Sequence, residues 1–371
     1  MKDTLFGDLS VIGMRGCEDF AQEVDAYLKD WRRHDAEGGS FLINSSCPRF
    51  GSGEAKGTVH QSLRGNDVYI ICDVFNHGVT YKMYGQTVPM SPDDHFQDLK
   101  RIIGAIGGKA RRISVIMPML YEGRQHKRSG RESLDCALAL QELINMGITN
   151  IITFDAHDPR VQNAIPLNGF ENVRSSYQML KALLRIYPDI QIDPDRTMII
   201  SPDEGGMAKC MYYSSVMGID LGMFYKRRDY SVIINGKNPI VAHEYLGRDV
   251  KDKDVIIVDD MISSGDSVID VAKQLKEKGA KRIFVFATFG LFCNGLEHID
   301  EAYKEGVITK IFTTNLVYRM PELLAREWYA EVNMCKYVAY IIDTLNHDQT
   351  ISHLLDQSKK IHKLLDGYNK K

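Results

Sequence analysis

Residues 255–272 read VIIVDDMISSGDSVIDVA. An apolar run delivers two aspartates, Asp259 and Asp260, and the stretch Ser263-Ser264-Gly265-Asp266-Ser267 leads straight into a helical pattern. In an open α/β sheet, ligands bind outside the carboxyl ends of the strands. The N–H groups that open a helix lack intrahelical partners, and with serine hydroxyls beside them they form a cradle for a phosphate. A glycine at 265 lets the backbone approach the anion with no Cβ in the way. Two carboxylates would repel that phosphate, so their partners are sugar hydroxyls or a phosphate-bound cation. The bland alternative is an acidic strand end and an ordinary turn, with Ser267 as the helix N-cap. Strand, acidic pair, glycine and helix standing in register favour a phosphate-binding loop whose carboxylates meet either sugar hydroxyls or a phosphate-bound cation.

A second loop follows another apolar run and reads SPDEGGMAK over 201–209. The paired glycines Gly205 and Gly206 expose N–H groups where a pyrophosphate could sit, and Asp203 is a candidate magnesium ligand, directly or through water. Two other stretches imitate nucleotide motifs. GSGEAKGT (51–58) fails the phosphate-loop pattern because Lys56 follows Ala55, and WRRHDAEGG (31–39) has none of the companions a kinase catalytic loop needs.

Elements of matching kind must carry these loops. VYIICDV (68–74), ISVIM (113–117), NIITF (150–154), TMIIS (197–201), DVIIV (254–258) and RIFVFAT (282–288) are apolar on consecutive positions, as strands buried on both faces are. Helix-period segments lie between them. Leu134, Ala137, Leu138, Gln141 and Leu143–Ile144 give an incomplete stripe before Gly147, while Val268, Val271, Ala272 and Leu275 repeat at i, i+3, i+4, i+7 before Gly279. Alternating β and α units predict an α/β fold with mostly parallel sheets. Residues 34–66 and 226–250 look like long loops, which in compact domains are functional or contain hairpins.

At 371 residues the chain exceeds one ordinary core and suits two domains. It is 44% hydrophobic and 26% charged with a formal net charge of −3, so nothing global points to nucleic acid or an anionic membrane. Seven scattered cysteines without a CxxC pair speak against a disulfide framework or zinc knuckle. The N-terminus MKDTLFGDLSVIG lacks a signal-peptide pattern, and no apolar run approaches membrane-spanning length, so the expected location is cytoplasmic.

The aspartate–serine loop resembles the ribose-5-phosphate loop of type I phosphoribosyltransferases and of phosphoribosyl-pyrophosphate synthases. Further segments, in the order of the synthase family, make the resemblance specific to it: FGSGE (50–54), SLRGNDVYII (62–71), YEGRQHKR (121–128), ITFDAHDP (152–159), SPDEGGMAK, FYKRRDYS (224–231) and TISHLLD (350–356). The departures are Ser52 for an amide or acid, His126 for an acid and Tyr225 for an aspartate. The resemblance implies two phosphoribosyltransferase-type domains: an ATP-side domain over 1–165, with helices from about 336–371 packing back on it, and a ribose-5-phosphate-binding domain over 166–335. It assigns Asp259, Asp260, Ser263, Ser264, Gly265 and Ser267 to ribose 5-phosphate, with the charge of Asp266 pointing away. It assigns Phe50, Glu54, Arg124, Gln125, Asp203, Gly205 and Gly206 to ATP and its pyrophosphate, and His157 and Asp203 to the metal.

The implied activity is that of a ribose-phosphate pyrophosphokinase using ATP, ribose 5-phosphate and Mg²⁺. Catalysis falls to Lys226, Arg228 and His157, with Lys226 and Arg228 at the opening of a loop that closes over the reaction. The resemblance also implies a homo-oligomer, a hexamer or dimers. Two alternatives remain at this point: a non-catalytic synthase-like regulatory subunit, and a nucleobase phosphoribosyltransferase.

Overall fold

The computed structural model describes residues 5–32, 39–228 and 240–369. The chain divides into two compact units: Met1–Ser175 with Asn315–Tyr318 and Asn333–Asp356, and Ser176–Thr314 with Arg319–Val332 and Gln357–Lys371. The boundary falls at 175/176, ten residues beyond the expected 165/166. The C-terminal helices are also shared between the units: Cys335–Asn346 belongs to the first and Ser358–Asn369 to the second.

In the first unit, five parallel strands lie side by side in chain order: β1 (Leu9–Gly13), β2 (Asp67–Ile71), β3 (Arg112–Ile116), β4 (Asn150–Phe154) and β5 (Gly169–Val173). Ile70 of β2 pairs with Ile12 on one side and Val115 on the other. Every residue of β2 is buried, and because successive side chains point to opposite faces, both faces of the sheet are covered there. Helix α1 (Glu18–Trp31) precedes β2. Helix α2 (Pro92–Ile106) begins where sequence rules place it: Ser91 forms a reciprocal capping box with Asp94, Pro92 opens the first turn, and Gly107 ends it at φ 63°. Helix α3 (Asp135–Asn145) corrects the expected stripe. Cys136, Ala139, Leu140 and Leu143 are its buried face, and Leu138 is exposed. The buried set keeps i, i+3, i+4, i+7 spacing; the expected set was off by two because Cys136 acts as a small hydrophobe.

One buried ion pair ties this unit together. Asp67, fully buried on β2, accepts two bonds from Arg112 of β3 at 2.7 and 2.6 Å, and also bonds from Tyr69 and Asn346.

The second unit holds a seven-stranded sheet. Its strands are β6 (Thr197–Ser201), β7 (Asp220–Arg228), β8 (Ile240–Leu246), β9 (Asp254–Ile262), β10 (Arg282–Gly290), β11 (Lys310–Thr314) and β12 (Tyr329–Val332), in the order β8-β7-β6-β9-β10-β11-β12. All neighbours are parallel except β7 and β8. The expected long loop at 226–250 is therefore partly a hairpin, and Lys226 and Arg228 are strand residues with cross-strand partners His243 and Ile240. Helices α4 (Ser176–Ile186), α5 (Met207–Met217), α6 (Asp266–Glu277) and α7 (Glu297–Lys304) alternate with the strands. The α6 stripe Val268, Val271, Ala272 and Leu275 is buried as the periodicity requires, and its helix ends before Gly279 at φ 88°. Among the described residues no helix is long and apolar enough to cross a membrane.

Candidate active site

In the second unit the two loops singled out by sequence are neighbours, because they leave the carboxyl ends of adjacent parallel strands, β6 and β9. Strand β9 runs past the acidic pair to Ile262, so Asp259 and Asp260 are strand residues, Asp259 standing opposite Ala287 of β10. Each carboxylate turns back on the next N–H: Asp259 Oδ1 accepts from Asp260 N at 2.8 Å, and Asp260 Oδ1 from Met261 N at 2.9 Å. Burial, reinforced by the adjoining Asp260 carboxylate, pushes the Asp259 carboxyl well above the usual range. Hydroxyl donors or a cation arriving at the pair would favour its ionised form, which suits sugar hydroxyls.

Three consecutive carbonyls of the following loop are held from one side. Ile262 O accepts from Leu291 N at 2.9 Å, Ser263 O from Cys293 N at 2.8 Å, and Ser264 O bonds His298 Nε2 at 2.7 Å. Gly265 then takes φ 100° and acts as the N-cap of α6, whose first i→i−4 bond runs from Ile269 N to Gly265 O. The N–H groups of Asp266, Ser267 and Val268 precede that bond and so lie outside the intrahelical ladder; Asp266 N donates to Ser264 Oγ at 3.4 Å.

Ser267, the N-cap of the bland alternative, instead lies inside the first turn, since the helix starts at Asp266. Gly265 is required by its positive φ and by close packing: an added Cβ would meet His298 Nε2 at 3.0 Å and Ile299 Cδ1 at 3.2 Å, on the protein side of the loop. The Asp266 side chain is largely exposed, 3.9 Å from His298 Nε2.

The loop after β6 is locked by its own polar groups. Ser201 Oγ donates to Asp203 O at 2.7 Å, and Asp203 Oδ1 accepts from Gly205 N and Gly206 N at 3.0 and 3.2 Å. Gly206 has no room for a Cβ, which would lie 2.9 Å from the buried Ser201 Oγ. Helix α5 starts there and sends Lys209 Nζ to Asp259 O at 3.4 Å and Cys210 Sγ to Val258 O at 3.3 Å, tying this loop to the acidic strand. Burial pushes the Cys210 thiol up to about 12, so it is a packing group and not a nucleophile. Lys226 and Arg228 lie on β7, the strand next to β6, where β7 pairs with β8.

The first unit carries the remaining candidates in three segments. Phe50 and Glu54 share one tight turn closed by Phe50 N donating to Glu54 O at 2.7 Å; Phe50 is 57% exposed. Ser52, the departure in this segment, donates to Glu54 Oε2 at 2.9 Å and so orients the carboxylate. After β3, Arg124 is exposed, whereas Gln125 is held by Nε2 donating to Ser133 O at 2.9 Å. After β4, Asp155 is buried at φ 40°, its Oδ2 accepting from Ser175 N and Oγ, and this kink lifts exposed His157 off the strand end. The His157 ring packs edge-on against His126, centroids 5.3 Å apart, and His126 Nε2 lies 3.4 Å from Asp158 Oδ2. The Arg160 guanidinium hydrogen-bonded to Asp158 holds that carboxyl down to about 2. The second departure, His126, therefore has a defined place beside His157.

Sequence reasoning missed the contacts that Lys209, His126 and His298 make with these segments. Lys209 had a signal, its place in the first turn after the paired glycines. His298 had none, since it reaches the loop only through the fold.

An acidic strand end running into a carbonyl-anchored Ser-Ser-Gly loop and helix, on a largely parallel sheet flanked by an antiparallel hairpin, defines a domain of phosphoribosyltransferase type. Comparison with known proteins agrees: residues 175–314 match the phosphoribosyl transferase domain, and residues 9–147 match the N-terminal domain of ribose phosphate pyrophosphokinase. A ribose-phosphate pyrophosphokinase of Ureaplasma parvum is 30% identical over 276 residues, covering 74% of this chain and 76% of its own. One of Vibrio parahaemolyticus is 26% identical over 321 residues, covering 85% and 92%. Phosphoribosylpyrophosphate synthetase from Mycobacterium smegmatis shares the fold, with TM-score 0.74 over 92% of this chain and 99% of its own at 20% identity. The chain belongs to the ribose-phosphate pyrophosphokinase family, and it is an enzyme of that class. The match of its first half to the pyrophosphokinase N-terminal domain separates it from a nucleobase phosphoribosyltransferase.

Proposed function

We propose that the enzyme transfers the pyrophosphoryl group of ATP to the 1-hydroxyl of ribose 5-phosphate, giving phosphoribosyl pyrophosphate and AMP. The observation that carries this reading is the Asp259–Ser267 segment: hydroxyl-accepting carboxylates at one end and a helix-start anion cradle at the other, as a sugar 5-phosphate requires. Asp259 and Asp260 take the ribose hydroxyls; Ser263, Ser264, Gly265 and Ser267 take the 5-phosphate. Gly205 and Gly206 leave the loop after β6 without side chains where the pyrophosphate would lie; their N–H groups, expected to be exposed, are instead taken by Asp203 Oδ1. Phe50 stacks on adenine while Glu54 reads its edge, and Arg124 and Gln125 complete the nucleotide contacts.

In the reaction the sugar's 1-hydroxyl oxygen attacks the β-phosphorus of ATP in line, its bond to the α-phosphate oxygen breaks, and AMP leaves. Lys226 and Arg228 are the counter-charges for negative charge spreading over the phosphoryl oxygens. Asp203 fits a magnesium ion, which takes one or two carboxylates alongside substrate phosphates and waters; imidazole suits magnesium less, so His157 would meet phosphate or a metal-bound water. The ion, when bound, neutralises the phosphates. A cytoplasmic homo-oligomer, a hexamer or dimers, is part of the same proposal, supported by seven free thiols and by the family.

The test is AMP release from ATP and Mg²⁺ with and without ribose 5-phosphate. AMP formed only with the sugar phosphate supports the assignment. Sugar-phosphate binding with no AMP would favour the non-catalytic regulatory subunit.

A further inference from the structure

We infer that His298 is a positioning residue for the phosphate loop: its Nε2–H holds the Ser264–Gly265 peptide so that the Gly265 N–H faces the bound anion. The inference rests on the proposed binding of ribose 5-phosphate at this loop. A carbonyl oxygen can only accept, so the 2.7 Å contact with Ser264 O makes Nε2 the protonated nitrogen of the ring. In a planar trans peptide the C=O and the following N–H point in opposite directions. With Ser264 O turned towards α7, the Gly265 N–H is turned away from it. Ser263 O, held by Cys293 N, fixes the Ser264 N–H in the same sense. Successive N–H groups aimed one way form an anion-binding concavity.

Of the three shortest bonds to the loop's carbonyls, those from Leu291 and Cys293 use backbone N–H groups that any sequence provides. The third uses a side chain, partly exposed and set on the first turn of α7, so this one bond can be removed by substitution. The same ring fills the space that a Cβ at residue 265 would enter. Asp266 is the acidic group facing the ring, at 3.9 Å. His298 touches neither sugar nor nucleotide in this arrangement; it acts through the peptide it holds.

The experiment compares full-length wild type with His298→Leu, which has no donor, and His298→Gln, which retains an amide donor of similar reach. The readouts are ribose 5-phosphate affinity by calorimetry, KM for each substrate, kcat and Tm. His298→Leu should weaken ribose 5-phosphate binding about tenfold, while ATP KM and kcat stay within about twofold of wild type. His298→Gln should recover most of the lost affinity at an unchanged Tm. Wild type that binds ribose 5-phosphate and a Leu variant that binds it equally well would overturn the inference alone. A Gln variant with wild-type Tm but as weak as Leu would also overturn it. Wild type that binds no ribose 5-phosphate would overturn the loop's assignment and this inference with it.

Discussion

Replacing Gly265 by alanine tests whether the loop's conformation, rather than its composition, makes the phosphate site. Gly265 sits at φ 100°, where a non-glycine residue carries a cost of about 1–3 kcal/mol. The new Cβ would also press on His298 Nε2 at 3.0 Å, the atom that bonds Ser264 O. Both effects fall on one peptide, and relieving either one rotates the Gly265 N–H out of place. Taking about 2 kcal/mol as the cost of restoring the bound geometry, ribose 5-phosphate affinity should fall about 30-fold. Gly279→Ala is the control: it ends the same helix at φ 88°, and the nearest atom to its Cβ would be Cγ of the flexible Lys251 side chain at 3.2 Å. The two variants should lose similar thermal stability, but only Gly265→Ala should raise the KM for ribose 5-phosphate. Equal KM values for the two variants would refute the argument.

Other substitutions separate other parts of the account. Lys226→Ala should lower kcat by about 10²–10⁵-fold and leave ribose 5-phosphate binding nearly intact, measured by steady-state kinetics and calorimetry; equal loss of binding would place Lys226 in the substrate site. Asp67→Ala leaves Arg112 without its buried partner and should cost about 3–5 kcal/mol in urea unfolding, whereas a loss below about 1 kcal/mol would mean the pair is solvated. The Asp158 carboxyl, held down to about 2 by Arg160, is stabilising above the ordinary carboxylate value, and this contribution is lost as pH falls towards 2. Arg160→Gln should return its midpoint towards 3.8, as followed by NMR of the side-chain carbonyl; an ordinary midpoint already in wild type would contradict the ion pair.

Much of this molecule is written in local pattern. Asn150–Phe154 and Thr197–Ser201 are strands with the bounds the apolar runs predict, because both are covered on two faces and flanked by turn residues. The strands that escaped are less uniformly apolar. Gly169–Val173 is half-exposed at a sheet edge, and Asp220–Arg228 mixes charge with apolar residues because it belongs to a flanking hairpin. The acidic pair, the serine loop and the paired glycines were legible because strand, loop and helix are contiguous there. What stayed hidden depends on chain returns: His298 comes 33 residues after Gly265, and Lys209 reaches Asp259 from a helix 50 residues earlier. Local sequence also left out one reason for Gly265, since the packing of His298 and Ile299 behind it cannot be read from neighbouring residues.

The central claim is that the β-phosphorus of ATP, not the γ-phosphorus, is the atom attacked. Incubating the full-length enzyme with ribose 5-phosphate, Mg²⁺ and ATP labelled at the β-phosphate separates the two directly. Transfer of the label to the sugar, with unlabelled AMP appearing in equal amount, is the predicted result. Label retained in ADP, or released as free phosphate or pyrophosphate with no labelled sugar, would contradict it.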